Sequence, residues 1–192
     1  MKKTVFGALL LAVSMSVGAA GLETYGVFAG QYISGDVDSC TGNCDTDDNK
    51  AAGDAMLGVG IQYGYLAAEV NGYLAGQGFG TLLIGRLPMG DRHSLGLGGG
   101  VVRQSVDVDF SPALTKSADG NVAVAFLEYA GSIYNTDRAD VRLLVRAGWQ
   151  DGTLKASGTE YAGTPPVPVA SYQAEIDQSG PFGQLGIMFR AK

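Results

Sequence analysis

The sequence predicts an all-β fold, an eight-stranded antiparallel up-and-down transmembrane β-barrel, and three observations predict it. The first is residues 122–149, VAVAFLEYAGSIYNTDRADVRLLVRAGW. Before the turn, the odd positions Ala123, Ala125, Leu127, Tyr129, Gly131 and Ile133 can all face hydrocarbon, and Glu128 falls among the even ones. After Asn135-Thr136-Asp137 the odd positions are Val141, Leu143, Val145, Ala147 and Trp149, against Asp140, Arg142, Leu144, Arg146 and Gly148. Period-two alternation marks a strand with two unlike faces. An apolar face opposite a charged one suits a barrel with lipid outside and a polar interior. The second observation is the run of connections, which alternate long and short as in barrels with tight periplasmic turns and longer outer loops. The third is parity: inward positions assigned from side chains demand turn lengths, even or odd, that agree with the turns read separately.

The chain opens MKKTVFGALLLAVSMSVGAA, with Lys2 and Lys3 before the apolar run 5–13 and small residues at Gly18 and Ala20. This pattern predicts a secretory signal peptide over 1–20, leaving 21–192 as one barrel domain. The apolar run is shorter than the roughly 20 residues a spanning helix needs. Removing Lys2 and Lys3 from the 13 basic residues leaves 11 against 19 acidic, a net charge of −8. An acidic surface repels phosphate, which argues against nucleic acid as a partner. Glycine supplies 30 of the 192 residues, about twice the usual 7% or so, and glycines within strands let side chains crowd inside a narrow barrel. Cys40 and Cys44, in CTGNC, predict a local disulfide in an oxidising compartment.

Taken in order, the first strand covers 22–33, with its outward face undecided. A polar loop, 34–54, carries Asp36, Asp38, Asp45, Asp47 and Asp48. Strand two, 55–63, sets Leu57, Val59, Ile61 and Tyr63 against Met56, Gly58, Gly60 and Gln62. After the Gly64-Tyr65 turn, strand three, 66–74, sends Leu66, Ala68, Val70 and Leu74 out and Glu69, Asn71 and Tyr73 in. A loop at 75–80 leads to strand four, 81–87, with Arg86 inward. The turn Pro88-Met89-Gly90-Asp91 leads to strand five, 93–102, where Leu95, Leu97 and Val101 face out. Residues 103–121 read as a polar loop, and strands six and seven form the hairpin already described. A long loop from Asp151 precedes strand eight, 182–190; residues 172–176 also alternate and extend that strand beyond the bilayer, with a bend at Gly180-Pro181.

Eight strands close around an interior that side chains just fill. The inward set contains Glu69, Arg86, Glu128, Asp140, Arg142 and Arg146, which predicts an interior salt-bridge network and a plugged lumen. Glu128 is expected opposite or diagonal to Arg146 and within reach of Arg142. Aromatics at strand ends predict interfacial belts: Tyr25, Tyr63 and Phe189 at the periplasmic side, and Trp149, Phe79 and Phe182 at the outer side.

The stretches RLPMGDRHSLGLGGGVV (86–102), FLEYAGSIYNTDRADVRLLVRAGW (126–149) and GQLGIMF (183–189) resemble the eight-stranded outer-membrane barrels of the OmpA transmembrane-domain and OmpX/Ail type. The resemblance covers essentially the whole chain after the leader and implies architecture more than activity. It implies that Glu128 and the inward arginines correspond to the family's interior charge cluster. It also implies that the last strand is read by the barrel-assembly machinery, although Arg190-Ala191-Lys192 follow the aromatic Phe189.

No catalytic residue, cofactor or metal ligand is predicted. His93 and Ser94 are adjacent, and adjacent strand residues point to opposite faces, so they do not meet on one substrate. No G-x-S-x-G elbow occurs. Asp45, Asp47 and Asp48 offer oxygen ligands, yet the ordered spacing of a calcium loop is absent. The leading expectation is a non-enzymatic protein of the Gram-negative cell outer membrane. It would be surrounded by outer-membrane lipid and lipopolysaccharide, would serve the envelope structurally, and would recognise any surface ligand through its outer loops in the manner of an adhesin. The alternatives are an outer-membrane lipid-modifying enzyme and a soluble periplasmic lipocalin-like barrel; the latter would carry its apolar face inside.

Overall fold

The structure, a computed structural model, describes residues 21–33, 36–41, 52–74, 78–111, 114–162 and 166–191. The expected signal peptide, 1–20, lies outside the described residues. Ten strands follow in order: β1 (Leu22–Ile33), β2 (Asp36–Thr41), β3 (Ala52–Tyr63), β4 (Leu66–Tyr73), β5 (Gly78–Met89), β6 (His93–Ser111), β7 (Leu114–Asn135), β8 (Ala139–Ala162), β9 (Val167–Asp177) and β10 (Gly180–Ala191). Eight of them, β1, β3 to β8 and β10, pair antiparallel with their neighbours, and β10 closes the ring by pairing with both β1 and β8. The other two continue walls already built. Ile33 pairs with Phe182 and Asp36 with Asp177, so β2 against β9 prolongs the β1–β10 ladder upward.

The side-chain faces sort as hydrocarbon demands. On β8, Leu143 and Val145 are 39% and 38% exposed on the outer surface, whereas Arg142 and Arg146 are 9% and 1% exposed. The same rule places Leu66, Leu83, Leu97, Leu127 and Leu185 outside. A lipocalin-like barrel would show the reverse. β1, undecided from sequence, turns Tyr25, Val27, Ala29 and Gln31 inward and Phe28 and Tyr32 outward. The turns are tight at Gly64, Gly90 and residues 136–138; Gly64 and Gly90 adopt φ of 57° and 71°, a region that glycine enters without steric cost. β5 runs through Pro88 to Met89, past the expected turn start, and Pro88, Pro168 and Pro181 each sit next to a strand end, where the missing N–H is tolerated.

The long polar loops expected at 103–121 and 151–180 are largely strand instead, and of the one expected at 34–54 the described residues 36–41 and 52–54 are strand. β6 reaches Ser111, β7 starts at Leu114, β8 continues to Ala162 and β9 occupies Val167–Asp177. The short loop expected at 75–80 yields to β5 from Gly78. The bend expected at Gly180-Pro181 falls at residues 178–179, between β9 and β10. A bilayer crossing needs about 9–11 residues per strand; β7 and β8 have 22 and 24. The surplus carries the wall beyond the membrane, and there the polarity of the faces inverts. Below Trp149 the outer face is apolar. Above it, Ser117, Asp119, Asp151, Thr153, Lys155 and Ser157 are exposed, while Ala118, Val122, Leu154, Ala156, Ala174 and Ile176 pack inside as a second apolar cluster. Water has replaced lipid outside, so apolar groups gain by facing in.

Candidate functional site in the barrel interior

Inward parity brings Glu69 of β4, Arg86 of β5, Glu128 of β7 and Arg146 of β8 to one level of the interior, all of them buried. Arg146 is the hub. Its Nη1 and Nη2 each donate to Glu69 at 2.7 Å, and its Nε donates to Glu128 Oε2 at 2.9 Å. Arg86 closes the group from the other side: Nε donates to Glu128 Oε1 at 2.6 Å, and Nη2 lies 3.9 Å from Glu69. Two guanidiniums and two carboxylates thus neutralise one another, with bidentate geometry at both arginines. Beside them, Gln184 accepts from Arg146 at 3.3 Å and donates to Gln31 at 2.6 Å.

Asp140 and Arg142 do not join this group. Arg142 Nε donates to Asp140 Oδ2 at 2.6 Å, and the other Asp140 oxygen accepts from the Ser132 hydroxyl at 2.7 Å. Arg142 was expected within reach of Glu128. Its side chain instead turns toward the same-face neighbour on its own strand, and the ladder sets it opposite Ser132, well down β7 from Glu128.

Two residues expected in the aromatic belts lie inside. Tyr25 is 3% and Phe182 6% exposed. The Arg86 guanidinium carbon lies 4.5 Å above the Tyr25 ring centroid, and that of Arg146 lies 5.1 Å from the Phe126 ring, which meets Phe182 edge-on at 6.1 Å. Cation–π and edge-to-face contacts draw these rings inward, where the arginines are. Glycines on the facing strands leave the space. A Cβ on Gly60 would stand 2.2 Å from the Tyr25 ring, and one on Gly98 would stand 2.5 Å from the Phe126 ring. Tyr63, Phe79, Trp149 and Phe189 are exposed on the outer surface.

Sequence reasoning missed Gln31, Gln62, Gln184, Glu23 and Arg190 as partners of the interior charges. Their signal was parity, which for Glu23 and Gln31 is usable only once the face of β1 is known. Cys40 pairs with Ala174 on the β2–β9 ladder. Cys44 and the acids Asp45, Asp47 and Asp48 lie outside the described residues, which contain no disulfide. His93 and Ser94 diverge as strand neighbours do: His93 Nδ1 lies 2.8 Å from the Tyr129 hydroxyl, and Ser94 is buried.

No protein-family model and no curated sequence matches the chain. The solved structures similar to it include these two. Neisserial surface protein A is 13% identical, with 91% of this chain and 99% of that one covered and a TM-score of 0.44. The outer membrane protein OprG from Pseudomonas aeruginosa is 14% identical, with 88% and 95% covered and a TM-score of 0.51. At that identity the likeness to OprG is one of fold. A closed antiparallel barrel satisfies every backbone group within hydrocarbon, and with an apolar band outside and its charges inside this chain is an integral β-barrel of the outer membrane.

Proposed function

We propose that this protein is a non-enzymatic outer-membrane anchor, plugged by its interior charges, that presents a raised extracellular wall as a structural or adhesin-like recognition surface. The observation that carries the reading is the length of β7 and β8, about twice a bilayer crossing, with the outer face turning from apolar to polar past Trp149. Barrels that only cross a membrane need no such extension, and recognition commonly sits on what projects from a rigid scaffold. The plug is supported by the direct bonds among Glu69, Arg86, Glu128 and Arg146 and by the Tyr25 and Phe126 rings that lie against the two arginines. The interfacial belt is supported by the outward Tyr63, Phe79, Trp149 and Phe189. On this reading residues 1–20 direct export, the barrel-assembly machinery inserts the chain, and lipopolysaccharide surrounds its outer half, as in the OmpA and OmpX/Ail type that it resembles.

Protease shaving of intact cells tests the orientation. Cuts are expected in the connections from β2 to β3, β6 to β7 and β8 to β9, with the turns at Gly64, Gly90 and Asp137 protected; cuts at those turns would reverse the assignment. Planar-bilayer recording tests the plug, with no steady open channel expected. Thin-layer analysis of lipids from cells with and without the protein tests the enzymatic alternative, which predicts an altered acyl pattern.

A further inference from the structure

The tight-turn end of the barrel holds a cavity of about 440 Å³ below the charge network. Its wall includes Arg86, Arg142, Arg190, His93, Ser94 and Gln62. No carboxylate lines it. The acids that neutralise the three arginines are Glu128, Asp140 and Glu23, and none of them reaches the cavity surface. The wall is therefore rich in donors, with three guanidinium forks, a hydroxyl and an imidazole beside the Gln62 amide.

Arg142 is the residue whose donors are unspent. It is nine-tenths buried, and its single bond among the described residues runs from Nε to Asp140. Asp140 is itself fixed by the Ser132 hydroxyl, so the guanidinium is held from one edge. The two terminal nitrogens, with four N–H groups, have no partner among the described residues. Ser94, buried beside them, also has none. Arg86 and Arg190 share Gln62, whose Oε1 lies 3.1 Å and 3.5 Å from their nitrogens. A planar guanidinium with two free N–H groups on one edge matches two oxygens of a phosphate or carboxylate. Burial makes such a bond stronger than it would be in water.

We infer that this vestibule is an anion site, built around Arg142 with Ser94 and Arg190 beside it, for a phosphate-type oxyanion entering from the turn side. The site does not depend on the recognition surface proposed above, since it uses only interior residues at the opposite end. In the orientation given, it opens to the periplasm, where both free phosphate and the phosphodiester headgroups of the inner leaflet are within reach.

Calorimetric titration of the refolded full-length mature barrel with inorganic phosphate tests the site. Maltoside micelles carry no phosphate of their own, and ionic strength is held constant with chloride. Saturable binding is expected. Arg142→Gln should weaken it about tenfold or more, the consequence of losing a charged bidentate partner, and Arg103→Gln, on the exposed outer surface, should leave it unchanged. Absence of saturable binding, or equal binding by wild type and Arg142→Gln, overturns the proposal. Should Arg142→Gln fail to fold by heat-modifiable mobility, the wild-type amide resonances of Ser94 and Arg142 decide. Shifts that saturate with phosphate and not with chloride support the site, and identical responses to both ions sink it. Short-chain phosphatidylglycerol added to the micelles then separates the two sources. Competition with phosphate assigns the site to a lipid headgroup, and its absence assigns the site to a soluble anion.

Discussion

Glu128 and Arg146 face each other directly across the β7–β8 ladder, and Arg146 carries its remaining two nitrogens on to Glu69, four strands away round the wall. One guanidinium therefore joins opposite sides of the barrel. Replacing Arg146 with glutamine leaves Glu69 only the 3.9 Å approach of Arg86 and keeps Glu128 on Arg86 alone. Breaking one partner of a buried ion pair costs about 3–5 kcal/mol. Urea unfolding followed by the single tryptophan, Trp149, should show a loss of that order. Adding Glu69→Gln removes the carboxylate that has lost its bidentate partner, so the double variant should be more stable than Arg146→Gln alone, a non-additivity that independent sites would not show.

The hairpin of β7 and β8 was legible because charge and hydrocarbon alternate there at full contrast. The upper halves of β6 to β9 were not legible, and the reason is physical. Leu154 and Ala156 of β8 keep the same inward parity as Arg142 and Arg146, but their surroundings change from lipid outside to water outside. A rule that sends apolar side chains outward reads the inverted stretch as noise, and hence as loop. The inward set of acids and arginines followed from parity alone. Which acid each arginine selects did not: Arg142 takes Asp140 on its own strand, and Glu128 is shared by Arg146 and by Arg86, a distant residue in sequence. Tyr25 stayed hidden for a related reason, since β1 lacks a charged residue within its central span to fix its face.

Gly60 lies opposite Tyr25 on the β1–β3 ladder, and the tyrosine ring occupies the volume that a side chain would fill. Gly60→Ala should displace the ring from Arg86 and cost about 1–3 kcal/mol by overpacking. Gly30→Ala is the control, because a Cβ there meets nothing closer than 3.9 Å. Comparing the two urea midpoints checks the expectation; equal midpoints would show that the ring moves aside freely.

The Tyr25 hydroxyl is buried and makes no hydrogen bond among the described residues. Tyr25→Phe should therefore be neutral or stabilising, since it removes a desolvated polar group without breaking a bond. Tyr25→Ala deletes the ring beneath Arg86 and should cost about 3–5 kcal/mol, as large-to-small changes at buried aromatics do. A phenylalanine variant as unstable as the alanine one would reveal a role for the hydroxyl that these contacts do not provide.

Depth along β8 should govern the cost of placing a charge on the outer face. Val145 stands midway between Val141 and Trp149, the ends of the lipid-facing run, and Ser157 stands well above it on the same face. An arginine at the bilayer midplane of a barrel costs about 2–4 kcal/mol, falling to about 0–1 near the interface. Val145→Arg should lose that larger amount when the barrel is unfolded from lipid vesicles, Trp149→Arg a smaller one, and Ser157→Arg essentially none. The same three variants in detergent should differ less, because a micelle deforms around a charge more readily than a bilayer does. If Ser157→Arg proved as costly as Val145→Arg in vesicles, the membrane would have to reach the upper wall. The polar outer face of β8 would then be in contact with lipid, and the inversion at Trp149 would lose its physical cause.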